Sequence, residues 1–198
     1  MNEQIFKAAF IILFLGYILI RAPFTKIYKQ QQQIRSLTTT TERVLLSLLG
    51  VGLLGLPLLW VVTPVLDRFN LEFWAWLRII GILIAIASLF YFYAIHKALG
   101  ANWSPTLEIR KGHELIKTGP YRTIRHPMYA QIWLWTIAQA LIVSNIVAGF
   151  SGILIWAILY FSRIRGEEDM MIQNFGSEYM DYVQRTGRVF PKMKRKGK

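Results

Sequence analysis

Thr118-Gly119-Pro120-Tyr121-Arg122-Thr123-Ile124-Arg125-His126-Pro127-Met128-Tyr129 stands between two blocks of membrane-grade hydrophobicity. Its reading decides the fold, because it marks where a chain of apolar helices turns at a bilayer surface. A loop that merely joins two spans needs only to be polar and flexible. This one gathers two Arg, one His, two Tyr and two Pro within twelve residues, and that composition asks for a ligand.

Working outward, the chain of 198 residues is 54% hydrophobic, too apolar for a soluble domain and too short for more than one compact unit. An all-α integral membrane protein with a single domain over residues 1–198 is expected. Five apolar segments read as transmembrane helices: residues 5–20, 44–62, 73–95, 129–143 and 146–161, each roughly 15 to 23 residues long. The last two form a tight hairpin about Asn145. Pro57 predicts a kink within the second segment and Pro64 a stop after it, while Thr39 with Glu42 reads as a capping box at its start. The first segment is read as a span and not a cleaved signal, since its leader carries Glu3, Arg21 follows it and no small-x-small site appears.

The formal charge of +12 is explained by basic loops near anionic headgroups, so nucleic-acid binding is unnecessary. Arg21, Lys26, Lys29, Arg35 and Arg43 follow the first span, and Lys97, Arg110, Lys111, Lys117, Arg122 and Arg125 lie in the loop 97–128. Both loops are expected on the cytoplasmic side of the cell (inner) membrane, giving an outside N-terminus, a cytoplasmic C-terminus and a cytoplasmic site. Cysteine is absent, which excludes disulfides, thiolate metal sites and a cysteine nucleophile. The three histidines lack the mutual spacing of a helix-borne metal site, so no metal is expected.

Beyond the last span, Glu167, Glu168, Met171, Ile172, Phe175, Tyr179 and Tyr182 recur at three- and four-residue intervals. This predicts an amphipathic cytoplasmic helix over 167–185, resting on the membrane surface or on the Gly119 to Tyr129 loop. Arg163 and Glu167 share a helix face, and taken alone they read as an interfacial ion pair. Two adjacent glutamates diverge on a helix, so they should serve different partners. His126 precedes Pro127 and is held out of the helical region, at the start of a helix whose free N–H groups suit an anion. Tyr121 and Tyr129 fit either a stacked heterocycle or an interfacial belt. Gly166 and Gly176 bracket and interrupt the final helix, which predicts lid-like movement.

In combination and order, Gly100-x-Asn102-Trp103-Ser104, Gly119-Pro120-Tyr121, Arg125-His126-Pro127-x-Tyr129, Glu167-Glu168 and Phe175-Gly176-x-Glu178-Tyr179-x-x-Tyr182 resemble the isoprenylcysteine carboxyl methyltransferase family, in a prokaryotic form. The resemblance covers roughly the last hundred residues, and its Arg-His-Pro-x-Tyr core is shared with phospholipid N-methyltransferases. It implies an S-adenosylmethionine-dependent membrane methyltransferase acting on a lipophilic acceptor that enters from the bilayer. Carried over by position, it implies cofactor contacts from His113, Leu115, Ile116, Gly119, Pro120, Tyr121, Arg125, His126, Pro127, Tyr129, Glu167 and Glu168. It also implies a role for Arg163 in orienting an acceptor carboxylate, with Glu167 complementing the cationic cofactor. Residues before about Leu99 match none of the substrate-facing positions of the family's eukaryotic members, which leaves the acceptor open.

Three other functions compete. A phospholipid or other amine N-methyltransferase would need a base, for which Glu167 or Glu168 is available. An NADPH-dependent membrane reductase would use the loop arginines for a phosphate, but no Gly-rich dinucleotide fingerprint is present. A non-enzymatic scaffold would explain Lys192 to Lys198 without explaining why His, Tyr and paired Glu converge.

Overall fold

The computed structural model describes residues 2–30, 33–36, 39–104, 108–110 and 114–192. In chain order come α1 (Glu3–Lys29), β1 (Gln33–Ser36), α2 (Thr40–Gly50), a π-helical turn (Val51–Gly55), α3 (Leu56–Val62), α4 (Ala75–Leu99), β2 (Glu108–Arg110), α5 (Pro127–Val143), α6 (Ile146–Phe175) and α7 (Ser177–Arg185). The fold is that of an α-helical membrane protein. To it the structure adds one short antiparallel ribbon, β1 against β2, in which Gln33 faces Arg110.

Among the described residues, four helical stretches are long and apolar enough to cross a membrane: Glu3–Lys29, Thr40–Val62, Ala75–Leu99 and Ile146–Phe175. Ile12, Leu19, Phe90, Leu154 and Phe161 all point outward from them. So wide an apolar exterior requires hydrocarbon as its solvent. α5 has 17 residues and forms the centre, with α4 along one side, α6 along the other and α1 also against it. Close approach depends on small residues: a Cβ on Gly81 would stand 2.7 Å from Leu141 Cβ and 3.1 Å from the Ala138 carbonyl oxygen.

Pro57 acts one turn earlier than its own position. Leu56 donates its N–H to the Val51 carbonyl in the π pattern, which accommodates the missing proline N–H and releases the Gly52 carbonyl. Gln139 Nε2 takes that carbonyl at 2.8 Å and also holds the Ala148 carbonyl at 2.9 Å. A buried glutamine in α5 thereby compensates a backbone defect in the neighbouring helix, as an apolar surrounding demands. Thr63, extended before Pro64, ends α3.

α5 turns into α6 through Ser144, at φ 49°, and Asn145. Asn145 Oδ1 accepts from the N–H groups of Val147 and Ala148, and its amide donates to Leu66 O at 2.8 Å and Asn70 Oδ1 at 2.7 Å. Near the start of α4, Arg78 forks onto Glu3 at 2.6 and 3.0 Å. The helix expected over 167–185 divides differently. α6 runs without a break from the apolar run through Phe175, because nothing stronger than the exposed Gly166 opposes it, and Gly176 at φ +55° then separates α7.

Candidate functional site

The loop before α5 is shaped by its backbone first. Thr118 is extended, Gly119 takes φ +56°, and Gly119–Arg122 forms a 3-10 turn beside Ala98. The next residues pair with the chain's tail: Arg125 N–H donates to Gly187 O and His126 N–H to Arg188 O, both at 2.9 Å, while Gly187 N–H returns to Thr123 O at 3.1 Å. His126 ends the loop at φ −124°, and Pro127 opens α5 at a position where its missing N–H is harmless. α7 locks the arrangement from above. Tyr182 Oη donates to the carbonyl of Tyr121 at 2.5 Å and lies 3.4 Å from that of Ile124.

The two adjacent glutamates part company. Glu168 accepts from Arg125 Nε at 2.6 Å, from Arg188 Nη2 at 2.5 Å and Nε at 3.2 Å, and lies 3.3 Å from His126 Nε2. It ties the loop, the tail and α6 together. Glu167 accepts from the Tyr129 phenol and lies 3.7 Å from His126 Nδ1. Among the described residues no Arg or Lys pairs with Glu167. The His126 ring is stacked over Tyr129 at 5.4 Å and spans the two carboxylates.

Arg163 pairs with Glu42, whose Oε1 is 3.4 Å from its Nε; both side chains are buried. Glu167, which the i, i+4 spacing offered as its partner, is directed to Tyr129 and His126. Arg163 Nε and the phenol of Tyr179 are enclosed without a hydrogen-bond partner among the described residues. Burial pushes the Tyr179 phenol up, further than usual because Glu168 is near, so it stays a neutral donor.

These groups surround a cavity of about 520 Å³. Its lining includes Leu115, Ile116, Tyr121, Arg125, His126, Tyr129, Arg163 and Glu167, together with the apolar Phe14, Leu49, Leu53 and Trp156. Gly119, Pro120 and Pro127 shape the backbone around the cavity, and Glu168 acts behind it through Arg125 and His126. His113 lies outside the described residues. Sequence reasoning missed Glu42, Gly187 and Arg188. Glu42 reads as a helix cap because its partner comes from a distant helix, and a two-residue tail pairing leaves no periodic signal.

Residues 79–173 match the Isoprenylcysteine carboxyl methyltransferase (ICMT) family. Protein-S-isoprenylcysteine O-methyltransferase of Homo sapiens is 28% identical over 138 residues, covering 64% of this chain and 48% of that protein. Its counterpart in Saccharomyces cerevisiae is 33% identical over 100 residues, covering 50% and 41%. The nickel-cobalt-cadmium resistance protein NccN of Alcaligenes xylosoxydans xylosoxydans is 33% identical over 84 residues, covering 42% and 39%. The matched regions thus span less than half the length of these relatives. Among solved structures, the eukaryotic intramembrane Ras methyltransferase ICMT superposes with a TM-score of 0.55 at 23% identity, covering 78% of this chain and 54% of that one. The resemblance drawn from the motifs is met by this match over residues 79–173, and the fold is shared with the solved structure.

Proposed function

We propose that this chain is a single-domain integral membrane methyltransferase that uses S-adenosylmethionine to methylate the carboxylate of a lipophilic acceptor, with its site at the cytoplasmic face. The observation that carries the reading is Glu167. It is a cavity-lining carboxylate without an arginine partner among the described residues, set beside the rings of Tyr129 and His126. That set fits a cationic ligand with a flat heterocycle, and the Tyr179 phenol, without a hydrogen-bond partner among the described residues, adds a donor for its oxygens.

Leu115, Ile116, Tyr121, His126, Tyr129 and Glu167 would hold S-adenosylmethionine. When bound, it supplies a sulfonium methyl, so that the acceptor oxygen's lone pair forms the new O–CH3 bond while the S–CH3 pair returns to sulfur. A carboxylate is already ionised at neutral pH, so the protein has no proton to remove. Arg163 orients the acceptor carboxylate with forked donors. The loop, α7 and the tail exclude water and fix the approach, the terms that dominate such a displacement. The apolar lining residues Phe14, Leu49, Leu53 and Trp156 take the acceptor's hydrocarbon. Arg21 on α1 and Arg125 before α5 both line the cavity, which supports a cytoplasmic site.

Calorimetry on the detergent-purified chain tests the reading. S-adenosylmethionine and S-adenosylhomocysteine should bind, NADPH should not, and His126→Ala and Glu167→Ala should each weaken the adenosyl ligands. Transfer of a labelled methyl to a prenylcysteine should then yield label released by mild alkali, as an ester requires. Alkali-stable label on an amine lipid would establish N-methylation in its place.

A further inference from the structure

Two hollows meet on α1. The central cavity and a shallower groove along α1 share Phe14, Tyr17, Arg21 and Leu54. Within the groove, Ile18, Ala22 and Thr25 continue the α1 wall, and Leu54 of the π turn stands across from them. α1 is packed on α4 and α5, and both hollows lie between it and Leu54 of the π turn. The groove is apolar along its length and basic at one end, where Arg21, Lys26 and Lys29 line it. Of those three, Arg21 also lines the cavity.

Arg21 is held in place. Its Nη1 donates to the Tyr17 phenol at 3.4 Å, and its Cζ stands 5.2 Å from the centre of the buried Trp103 ring. Tyr17 is fixed in turn by stacking on Phe92 at 4.3 Å and 11°. Among the described residues no carboxylate lies within ion-pair distance of Arg21. Among the described residues its remaining forked donors face no carboxylate, which suits them to an anion.

An arginine fixed at the junction of an apolar groove and the site cavity has the chemistry of a receptor for an anionic amphiphile. We propose that Arg21 is a binding residue for the acceptor, whose hydrocarbon lies between α1 and the π turn while its anionic head passes Arg21 into the cavity. Arg21 thereby selects acceptors that carry a negative charge. The proposal rests on the methyltransferase reading and deepens it, by naming the path and the residue that reads charge.

The test uses the full chain in nanodiscs of neutral phosphatidylcholine, with two unreactive inhibitors that share one polyisoprenyl thioether chain and end in a sulfonate or a neutral amide. S-adenosylmethionine binding by the wild type is measured first; if the wild type fails to bind it, the methyltransferase reading itself fails, and the Arg21 proposal with it. Given binding, Arg21→Gln should weaken the sulfonate by about tenfold, the loss of one charge-assisted contact. It should leave the amide and S-adenosylmethionine unchanged and raise the acceptor KM with little effect on kcat. Arg21→Lys should restore most of the preference, and Lys26→Gln should keep all of it. Equal weakening of both inhibitors, or of neither, overturns the proposal. So does an Arg21→Gln effect that appears only when phosphatidylglycerol is present, because the groove would then belong to bilayer lipid.

Discussion

The phenol of Tyr182 on α7 donates to the backbone carbonyl of Tyr121 across 2.5 Å, so the last helix is fastened to the loop by that loop's main chain. Replacing the donor leaves the ring in place and strands a carbonyl. Tyr182→Phe is therefore expected to lose about 1–2 kcal/mol and to increase amide exchange over residues 119–124. S-adenosylmethionine affinity should fall by several-fold. Unchanged exchange in that loop would show that α7 rests on it without holding it.

The same phenol gives a pH signature. Burial pushes Tyr182 and Tyr179 above the ordinary tyrosine value of 10.0. The fold then binds these protons more tightly than the unfolded chain does. Their contribution is whole below about pH 10 and is lost as pH rises from there towards the folded values. Thermal melts from pH 8 to 11 should show Tm falling above pH 10, and less steeply in Tyr182→Phe.

Glu42 and Arg163 are buried at 6% and 9% exposure and face each other from α2 and α6. Removing one member of such a pair leaves an enclosed charge without its counterion, at a cost of about 3 kcal/mol. Glu42→Gln should lower the chemical-denaturation midpoint accordingly, whereas the exposed Lys117→Gln, which disturbs only the solvent-facing pair with Glu178, should change it little. Equal midpoints for the two variants would mean that the buried pair carries no stability.

The parts legible in sequence were those with dense local signals. Gly119 to Tyr129 announced itself by composition, and the adjacency of Glu167 and Glu168 implied that they diverge, as they do towards Tyr129 and towards Arg125 with Arg188. Pro57 marked a disturbed helix but could not place the π turn upstream at Val51–Gly55, since that defect is met by donors from other helices, Gln139 of α5 and Ser151 of α6, which take the Gly52 carbonyl. Glu42 carries the signature of a cap and the environment of a buried ion pair. The tail's pairing with the loop depends on two backbone groups, and backbone groups are the same in every sequence.

That tail pairing turns on Gly187. A Cβ there would fall 1.7 Å from the Phe190 carbonyl oxygen and 2.9 Å from Lys192 N, so the turn must open to admit it. Gly187→Ala should free the tail, remove Arg188 from Glu168 and render residues after 185 sensitive to trypsin. S-adenosylmethionine should bind about tenfold more weakly. Arg188→Gln keeps the turn and loses only a partly exposed ion pair, so a few-fold effect is expected. A larger effect from Arg188→Gln than from Gly187→Ala would place the tail's importance in its charge.

Gly166 and Gly176 separate two ideas about movement. Gly166 lies inside α6 with open space where a Cβ would stand, whereas Gly176 sits at φ +55° in a conformation that other residues resist. Gly166→Ala should raise stability by about 1 kcal/mol and leave turnover intact. Gly176→Ala should lower stability by roughly 1–3 kcal/mol and alter kcat and KM together, as a changed hinge does. Stopped-flow binding of S-adenosylmethionine with the two variants side by side would decide it. A slowed Gly166→Ala would move the hinge into α6, and identical kinetics in all three proteins would leave α7 a fixed wall of the site.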